Sequence, residues 1–558
     1  MSDAERISRL PEWYEDDPKM QNLDLTDRFK TPNGTWRLNK LQNWALWWII
    51  QQRGLLGLLA AGSGKTIVSL LAAKALNAEN PILMIPPTMQ IPLRNAMEEL
   101  KHHFLLPKNL RIVPYSQLSV ASSTDLLDKH RPDLIICDEV HCVANGDAAR
   151  SKRIIRYFKA YPETRFVALS GTLTGKGLSD YGHLSEMALR KGSPLPISSG
   201  DLIAWGSCVD SESRINARNL PKEEHWRTFA AFKDLRHIED IETRREEARK
   251  VFSDRLRSTP GVVASLEGSI GSSLLFMKRD VSVPDEIDQA LKELRKTWTR
   301  PDGEELTCSL ELYRCGMELG QGFYLRWKWP DGIVDREWLN ARAFWHREVR
   351  AVYQQNRVGL DSPLLIARAV IRHVKALETD PGAKTEGVSP TLLLAWKGWC
   401  EQKHKPQPPT ETVWVDKFLI ENALKWRRAH PTGIIWFSSK AVENALREAG
   451  ERVFGAGEVP PNDGKAVCLS IGSHGTGLNL QAFSENLILC WPTSGKICEQ
   501  LVARTHRQGS TFDEVVVWRY EHTLEAKLSV KKSRMDARYI ESSTKASQKL
   551  CFGAWCGE

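Results

Sequence analysis

The feature that most constrains this chain is a glycine-rich segment at 57–66, GLLAAGSGKT, which lies between two apolar runs. The run Gly54–Leu59 is long enough for a short central strand, and the run Ile67–Lys74 has the apolar spacing of a buried helix. A strand, a glycine-rich turn and a helix N-terminus bind anions together, because backbone N–H groups and the helix dipole face the same point. The segment therefore predicts a phosphate-binding loop in an α/β protein with a parallel sheet.

The residue types within this loop match the parts of a nucleoside triphosphate. We expect Gly62 and Gly64 to let backbone N–H groups turn towards the β-phosphate, with Ser63 between them in the same binding set. Lys65 supplies a point charge to the β- and γ-phosphates, and Thr66 supplies a hydroxyl for Mg²⁺. The usual pattern has Gly or Ala six residues before the lysine, where this chain has leucine. Because GSGKT also occurs by chance in some loops, the interpretation needs a second motif.

That second motif is the segment 131–141, RPDLIICDEVH, in which four apolar residues lead directly into two carboxylates. A buried parallel strand with Asp-Glu at its carboxyl end lies where α/β sheets place ligand chemistry. We expect Asp138 to hold Mg²⁺ through water, opposite Thr66, and Glu139 to act as the general base on the attacking water. The alternative is a solvated acidic turn, which the lysine upstream makes the weaker interpretation.

The residues 138–141, DEVH, resemble the box of superfamily 2 helicases of the DExH type. The resemblance implies that His141 links the ATP site to the next motif, although an ordinary polar residue at a strand end is the alternative. The candidate for that next motif is 166–172, FVALSGT, in which Ser170 and Thr172 would couple hydrolysis to movement.

The same resemblance implies further contacts to nucleotide and nucleic acid in the first part of the chain. Gln42, at the end of an LNKLQ element, corresponds to the glutamine that reads adenine. The segments 81–87 and 110–116 are predicted strands of the same sheet, at places where the family contacts the nucleic-acid backbone. Tyr115 and Ser116 are therefore candidate nucleic-acid contacts.

The far end of the chain supplies a second set of motifs. The segment 433–439 is a predicted strand, and 470–481, SIGSHGTGLNLQ, matches the glycine-rich motif V of the family. Within it, Thr476 is a candidate nucleic-acid contact and Gly477 a candidate nucleotide contact. These motifs imply a second domain of the same kind as the first.

The segment 499–509, EQLVARTHRQG, matches motif VI, with Gln500 as a coupling residue. Arg504 and Arg507 lie three residues apart, which predicts one face of a helix. From there they could reach a γ-phosphate bound by the other half and stabilise the transferring phosphoryl group. Taken alone, the pair is simply a basic helix.

Within superfamily 2, motifs V and VI look most like those of Swi/Snf-type DNA translocases, except that Ser510 stands where that group usually has Gln. Compact DNA-dependent ATPases of this kind are common in bacteriophages, so the resemblance extends to a bacteriophage origin. It implies an α/β fold with two RecA-like P-loop domains, parallel sheets and a mostly helical insertion. The predicted domain bounds are 1–190, 191–410 and 411–558.

The predicted insertion carries one aromatic segment that could contact nucleic acid, 320–329, GQGFYLRWKW. Aromatic residues alternate there with basic ones, so Phe323 and Trp327 could stack on bases while their neighbours contact phosphates. The alternative is an aromatic strand packed beneath the insertion.

Composition bounds the class of protein without deciding its function. A net charge of +8 is mildly basic and compatible with a polyanionic partner. Eleven scattered cysteines indicate free thiols in a reducing compartment. The sequence shows neither a signal peptide nor an apolar run that could span a bilayer, so we expect a cytoplasmic protein of a bacterium or phage-infected host, with no membrane partner.

Together the motifs predict an ATP- and Mg²⁺-dependent DNA helicase or translocase that contacts mainly the DNA backbone. Replication or recombination proteins are possible partners. Two alternatives stay open: an RNA helicase, and an ATP-gated clamp or adaptor that binds nucleic acid without processive motion.

Overall fold

The computed structural model shows two parallel β-sheets with helices packed on their faces. The residues that it describes are 2–59, 63–120, 123, 125–146, 148–171, 177–210, 221–229, 233–264, 272–355, 360, 363–382, 384–385, 387–461, 463–475, 478–507 and 512–557.

The first sheet has six parallel strands in the order β3-β2-β4-β5-β1-β6. Apolar side chains fill both of its faces, as a parallel sheet covered by helices on each side requires. Its strands are β1 (Leu55–Leu58), β2 (Pro81–Ile85), β3 (Arg111–Pro114), β4 (Leu134–Asp138), β5 (Arg165–Ser170) and β6 (Val262–Ala264).

The helices of this first half (residues 2–264) pack on the two faces of the sheet or join its strands. They are α1 (Asp3–Ser8), α2 (Pro18–Gln21), α3 (Thr26–Phe29), α4 (Lys40–Gln52), α5 (Lys65–Ala75), α6 (Gln90–Leu100), α7 (Leu126–His130), α8 (Ala149–Ala160), α9 (Gly182–Leu189), α10 (Ser199–Val209), α11 (Glu223–Phe229) and α12 (Ile241–Ser258).

The second sheet has seven parallel strands in the order β11-β12-β10-β13-β14-β7-β15. A separate antiparallel hairpin joins β8 to β9. The strands of this second half (residues 272–557) are β7 (Ser273–Arg279), β8 (Phe323–Trp327), β9 (Thr410–Trp414), β10 (Ile434–Phe437), β11 (Val453–Phe454), β12 (Val467–Ser470), β13 (Glu485–Ile488), β14 (Glu514–Tyr520) and β15 (Ala554–Cys556).

Helices of the second half either cover its sheet or form a smaller unit with its own core. They are α13 (Asp285–Thr297), α14 (Ser309–Gly320), α15 (Arg336–Gln354), α16 (Pro363–Thr379), α17 (Pro390–Gln402), α18 (Phe418–Ala429), α19 (Lys440–Glu448), α20 (Ile471–His474), α21 (Gly495–Val502), α22 (Leu524–Thr544) and α23 (Lys549–Phe552). We call α15–α17 the helical module, because Trp345, Val349, Ile366 and Leu392 pack together there, apart from the other cores.

The predicted fold class, α/β with two RecA-like halves and parallel sheets, is confirmed. The domain bounds differ from those expected at 190 and 410. Helices α10, α11 and α12 pack on the first sheet, and the chain after α12 leads into β6, while β7 lies in the second sheet between β14 and β15. Sheet pairing over such long sequence separations leaves no local sequence signal. We therefore propose that the first half ends near residue 264 and that the helical module is an insertion within the second half.

Two further properties concern the helices and the cysteines. Among the helices that the structure describes, none is long and apolar enough to cross a membrane. All eleven cysteines are free thiols.

Candidate nucleotide site

The ends of three adjacent strands bring the predicted motifs of the first half together. Strand β1 lies beside β5, with Leu58 opposite Ser170. Strand β5 in turn lies beside β4, with Leu169 opposite Asp138. Because parallel strands share one carboxyl edge, the phosphate loop after β1, the carboxylates after β4 and the hydroxyl at the end of β5 become neighbours.

The phosphate loop turns into α5 through a left-handed glycine. Gly64 has φ +83°, and a Cβ atom there would lie 2.1 Å from Nε2 of Gln42. Lys65 begins the helix immediately afterwards, so its backbone and side chain both lie at the positive end of the helix dipole. Gly64 therefore meets two demands that only glycine satisfies: a positive φ and close approach by another chain segment.

Gln42 is held within the protein at both ends of its amide. Its Oε1 accepts a hydrogen bond from the Asn39 N–H at 2.9 Å, and Asn39 Oδ1 accepts one from the Gln42 N–H at 2.8 Å. These two bonds form a capping box at the start of α4. Its Nε2 donates to the Gly64 carbonyl at 3.4 Å. The predicted adenine contact would therefore require this amide to exchange partners; in this structure it braces the phosphate loop.

The Glu139 carboxylate connects four of the predicted motifs. Its Oε1 lies 2.7 Å from Nζ of Lys65. Its Oε2 is 3.2 Å from Nδ1 of His141, accepts a bond from the Ser170 hydroxyl at 3.4 Å, and accepts another from Nε2 of Gln500 at 3.4 Å. Gln500 belongs to the second half, so this carboxylate also joins the two halves across their cleft.

The backbone at Glu139 is held in an unusual conformation. Its φ of 53° and ψ of 51° place a residue other than glycine in the left-handed region, at the turn from β4 into the 3₁₀ segment Val140–Val143. Such a conformation costs on the order of 1–3 kcal/mol and persists only where the surroundings enforce it. The turn aims the glutamate side chain at Lys65 and at the opposite half.

Burial and charge set the protonation states around this carboxylate. Burial raises the pKa of Asp138 to about 6, although Lys65 acts in the opposite direction. Burial also acts to raise the pKa of Glu139, but Lys65 and His141 outweigh it and hold that pKa well below its usual range. Burial lowers the pKa of His141 to about 4, so this imidazole is neutral at physiological pH. Glu139 is therefore a carboxylate whose basicity is suppressed by its lysine partner.

A cavity of about 780 Å³ lies between the two halves, with Thr66 on one side and Arg507 on the other. Nε of Arg507 is buried and has no hydrogen-bond partner among the described residues. Arg504 is engaged instead: its Nε donates to the Gln500 carbonyl at 2.9 Å and its Nη1 to the Leu478 carbonyl at 3.1 Å. Of the two predicted arginines, Arg507 is the one free to meet a ligand here.

The expectation that both arginines lie on one helix face was wrong. Helix α21 ends at Val502, and Arg504 and Arg507 follow in the turns beyond it. The chain has already left the helical path at these two residues, so the three-residue spacing does not place them on one helix face. A residue that the motif comparison missed, Lys496, lies one helical turn before Gln500 on α21, and Glu139 is among the charges that act on it. Its spacing of four residues from Gln500 was the available signal.

The candidate nucleic-acid contacts separate into exposed and buried groups. Tyr115 is 1% exposed and donates its hydroxyl hydrogen bond to the Asp138 carbonyl at 2.9 Å, so it braces the acidic strand and cannot lie on nucleic acid. Ser116 is exposed. Phe323 is also 1% exposed, in the core beneath the β8–β9 hairpin, so the aromatic-strand alternative holds for that residue. Trp327 is only half-buried.

Four predicted site residues, Gly62, Thr172, Thr476 and Gly477, lie outside the described residues. Within the part of the chain that the structure describes, His, Cys, Asp and Glu form no group of three or more that could hold a metal ion.

Comparison with known proteins bears on the first half of the chain. A comparison with curated proteins found no significant match. Residues 37–174 match the family model described as type III restriction enzyme, res subunit. The match spans the phosphate loop, the acidic strand and Ser170. Lys65 of the loop and Ser170 both contact Glu139. This part of the chain is therefore similar to the helicase-like ATPase domains of superfamily 2.

Proposed function

We propose that this protein is a DNA helicase or translocase that couples ATP hydrolysis to movement along DNA. The observation that carries the proposal is the set of contacts to Glu139, in which Lys65 occupies one carboxylate oxygen and Gln500 of the second half reaches the other. The general base for hydrolysis is thereby tied to the half of the protein that must move. Such a connection lets hydrolysis change the position of one half relative to the other, which a motor requires; the triplex assay below distinguishes a motor from an ATP-gated clamp.

The residues of the cleft fit ATP and Mg²⁺. Thr66 and Asp138 offer a hydroxyl and a carboxylate, which are the hard oxygen ligands that Mg²⁺ prefers. A buried carboxyl whose pKa is raised by burial is stabilised as its anion by a divalent cation. Mg²⁺, when bound, would neutralise charge on the β- and γ-phosphates, and these two residues would hold it.

Lys65 acts on both the triphosphate and the base. While it pairs with Glu139, it keeps that carboxylate weakly basic. When Lys65 turns to the phosphates, Glu139 loses its closest cation and becomes a stronger base for the attacking water. Binding of substrate would thus activate the base, which limits futile hydrolysis in the resting cleft.

The second half supplies the cation for the developing charge. Arg507 faces the cavity from the side opposite Thr66 and retains an unpaired Nε. A guanidinium placed there would stabilise the negative charge that spreads over the transferring phosphoryl oxygens. Arg504, bonded to the Gln500 and Leu478 carbonyls, would position the loop that carries Arg507.

DNA is the proposed track on the basis of motifs V and VI, which look most like those of DNA translocases. Contacts to the backbone would dominate, so we expect little sequence specificity and strong salt dependence. Ser116 is the exposed residue of the first half that we propose as a backbone contact. Proteins of replication or recombination are proposed partners, in the bacterial cytoplasm.

The test is phosphate release by the wild-type protein and by Glu139→Gln, alone and with single-stranded, duplex or forked DNA, or RNA. We expect stimulation by DNA, loss of turnover in Glu139→Gln, and retained nucleotide binding in that variant. Removal of a third strand from triplex DNA then distinguishes a motor from a clamp, because only a moving protein displaces it.

Each other result has a definite meaning. Stimulation by RNA alone would make the protein an RNA motor. Stimulation without triplex displacement would favour the ATP-gated clamp. Substantial hydrolysis by Glu139→Gln would show that another group activates the water.

A further inference from the structure

A second large cavity, of about 760 Å³, lies far from the nucleotide motifs in sequence. It opens between the β8–β9 hairpin, the loop 302–305 and helix α15. Trp327 and Trp329 line it, and both are half-buried, so each retains an accessible part of its ring. Cavities of this size hold small organic ligands.

The aromatic wall is held rigidly from behind. Trp338 packs edge-on against Trp327 at 5.7 Å and against Trp329 at 5.8 Å. The Arg342 guanidinium lies 5.4 Å from the Trp327 ring centre and 5.6 Å from that of Trp338, and it pairs with Glu304 at 2.8 Å. Rings fixed in this way lose little conformational entropy when a planar ligand stacks on them.

The polar lining of the cavity has unmet hydrogen-bonding capacity. Oε2 of Glu305, Nε1 of Trp327 and Nε of Arg342 are all buried and have no hydrogen-bond partner among the described residues. An unpaired buried polar atom costs about 1–3 kcal/mol, and all three belong to residues that line this cavity, so a ligand with both donors and acceptors would satisfy them once the side chains that cover these atoms turn aside. A planar ring with hydrogen-bonding edges has that chemistry.

Charge at the cavity is mixed: its lining carries Asp302, Glu304, Glu305 and Glu411 beside three basic side chains, and Arg326 pairs with Glu411 at 2.6 Å. Lys328 and Arg326 on β8 and just beyond it are exposed at the cavity's edge. Residues 336–405, which include the helical module, carry twelve Lys and Arg against seven Asp and Glu, a surplus of five within a chain of net charge +8. Phosphates flanking a bound ring would therefore lie towards Lys328 and the helical module, away from the carboxylates of the lining.

We propose that this cavity binds an unpaired nucleobase of a single strand, stacked on Trp329 and Trp327 and hydrogen-bonded to Glu305. The inference rests on the proposed function, because it assigns the helical module and hairpin to the nucleic-acid track. It goes further by requiring an unpaired base, which a protein that only followed intact duplex would not need. DNA and RNA strands both carry such a base.

The test compares a single-stranded oligonucleotide with an abasic strand of the same length, which keeps the phosphates and lacks the rings. We expect the wild-type protein to bind the base-containing strand about tenfold more tightly, as stacking on aromatic side chains predicts. Trp329→Ala should bind both strands with the affinity of the wild-type protein for the abasic strand. Trp329→Phe, which keeps an aromatic face, should restore most of the difference.

DNA and RNA oligonucleotides, each with its abasic counterpart, distinguish the two sources of the base. ATP hydrolysis without nucleic acid should be unchanged in both variants, which shows that the fold and the nucleotide site are intact. Equal affinity of the wild-type protein for base-containing and abasic strands would overturn the inference, as would an unaltered preference in Trp329→Ala. Absence of any nucleic-acid binding or stimulation in the wild-type protein would instead overturn the proposed function.

Discussion

At the scale of single residues, Gln500 is a contact between the second half and Glu139, the proposed general base. Gln500→Ala removes the 3.4 Å hydrogen bond to Glu139 Oε2 and leaves the phosphate loop intact. A hydrogen bond to a charged group contributes about 1.5–3 kcal/mol, so we expect the DNA-stimulated turnover to fall at least about tenfold. The affinity for nucleotide should stay near that of the wild-type protein. Steady-state rates and equilibrium nucleotide binding measure the two effects separately.

Gln500→Glu is the matched variant of the same size and shape. It places a second carboxylate beside Glu139, so repulsion should impair turnover more than Gln500→Ala does. Turnover equal to that of the wild-type protein in both variants would exclude a role for this contact in coupling.

Asp138 is expected to lower the stability of the folded protein at neutral pH, although hydrolysis requires it. Its folded-state pKa of about 6 lies above the usual value for aspartate, so the folded protein keeps this proton to higher pH than the unfolded chain does. The contribution of Asp138 to stability is therefore complete below about pH 4 and is lost as the pH rises to about 6. Asp138→Asn should raise the melting temperature of the nucleotide-free protein at neutral pH, by the equivalent of about 3 kcal/mol, while abolishing hydrolysis.

Thermal unfolding of wild-type and Asp138→Asn protein across this pH range is the measurement. The gap between the two melting temperatures should widen with rising pH and then level off. A gap that narrows with rising pH would contradict the sign.

At the scale of elements, the turn from β1 into α5 depends on Gly64. Gly64→Ala forces a Cβ atom against the Gln42 amide and a positive φ on an L-residue. Because Gln42 is fixed by its capping box, we expect the loop to move and nucleotide binding to fall by at least about tenfold. Calorimetric titration with a nonhydrolysable ATP analogue measures it. Gly146→Ala is the control, since nothing lies within 4 Å of a Cβ atom there, and it should bind like the wild-type protein.

The last strand, β15, protects the edge of the second sheet. Trp555 stacks on Phe276 of β7 at 4.3 Å and lies against the guanidinium groups of Arg519 and Arg534 at 4.6 and 4.2 Å. Trp555→Ala should destabilise the second half by about 2–3 kcal/mol and increase aggregation, because the edge of β7 loses its cover. Differential scanning calorimetry measures the loss of stability. Trp36→Ala, which removes a 40% exposed tryptophan from the first half, should lower the stability less.

At the scale of the whole molecule, the distribution of charge should determine how DNA affinity depends on salt. Arg368, Arg372 and Lys375 are exposed on α16 of the helical module. Replacing all three with Gln should lower the slope of log affinity against log salt for single strands by about 2, since each phosphate contact contributes about 0.7. The control replaces three exposed cations of the first half that pair with nearby acids, Lys129, Arg236 and Lys250.

Both variants lower the net charge by the same amount, so a general effect of charge would change their slopes equally. A slope that changes only in the α16 variant would assign the contacts to the module. Equal slopes in the two variants would place the DNA-binding surface outside the helical module.

The sequence by itself determined the fold class and the chemical groups of the nucleotide site. Each central strand is a continuous apolar run, and the loop, the carboxylates and Ser170 follow directly at strand ends, so local pattern and parallel-sheet geometry were sufficient to bring Lys65 near Glu139. The resemblance of the segment 499–509 to motif VI also pointed to Gln500.

Only the tertiary structure decided how those groups are used. Contacts between residues far apart in the chain bury Tyr115 and Phe323 and place β7 in the second sheet. They also decide that α21 ends before Arg504 and that Gln42 caps a helix. A side chain of given type is buried, bonded or free according to what packs against it. Local pattern therefore specified the chemistry, and long-range packing chose among its possible partners.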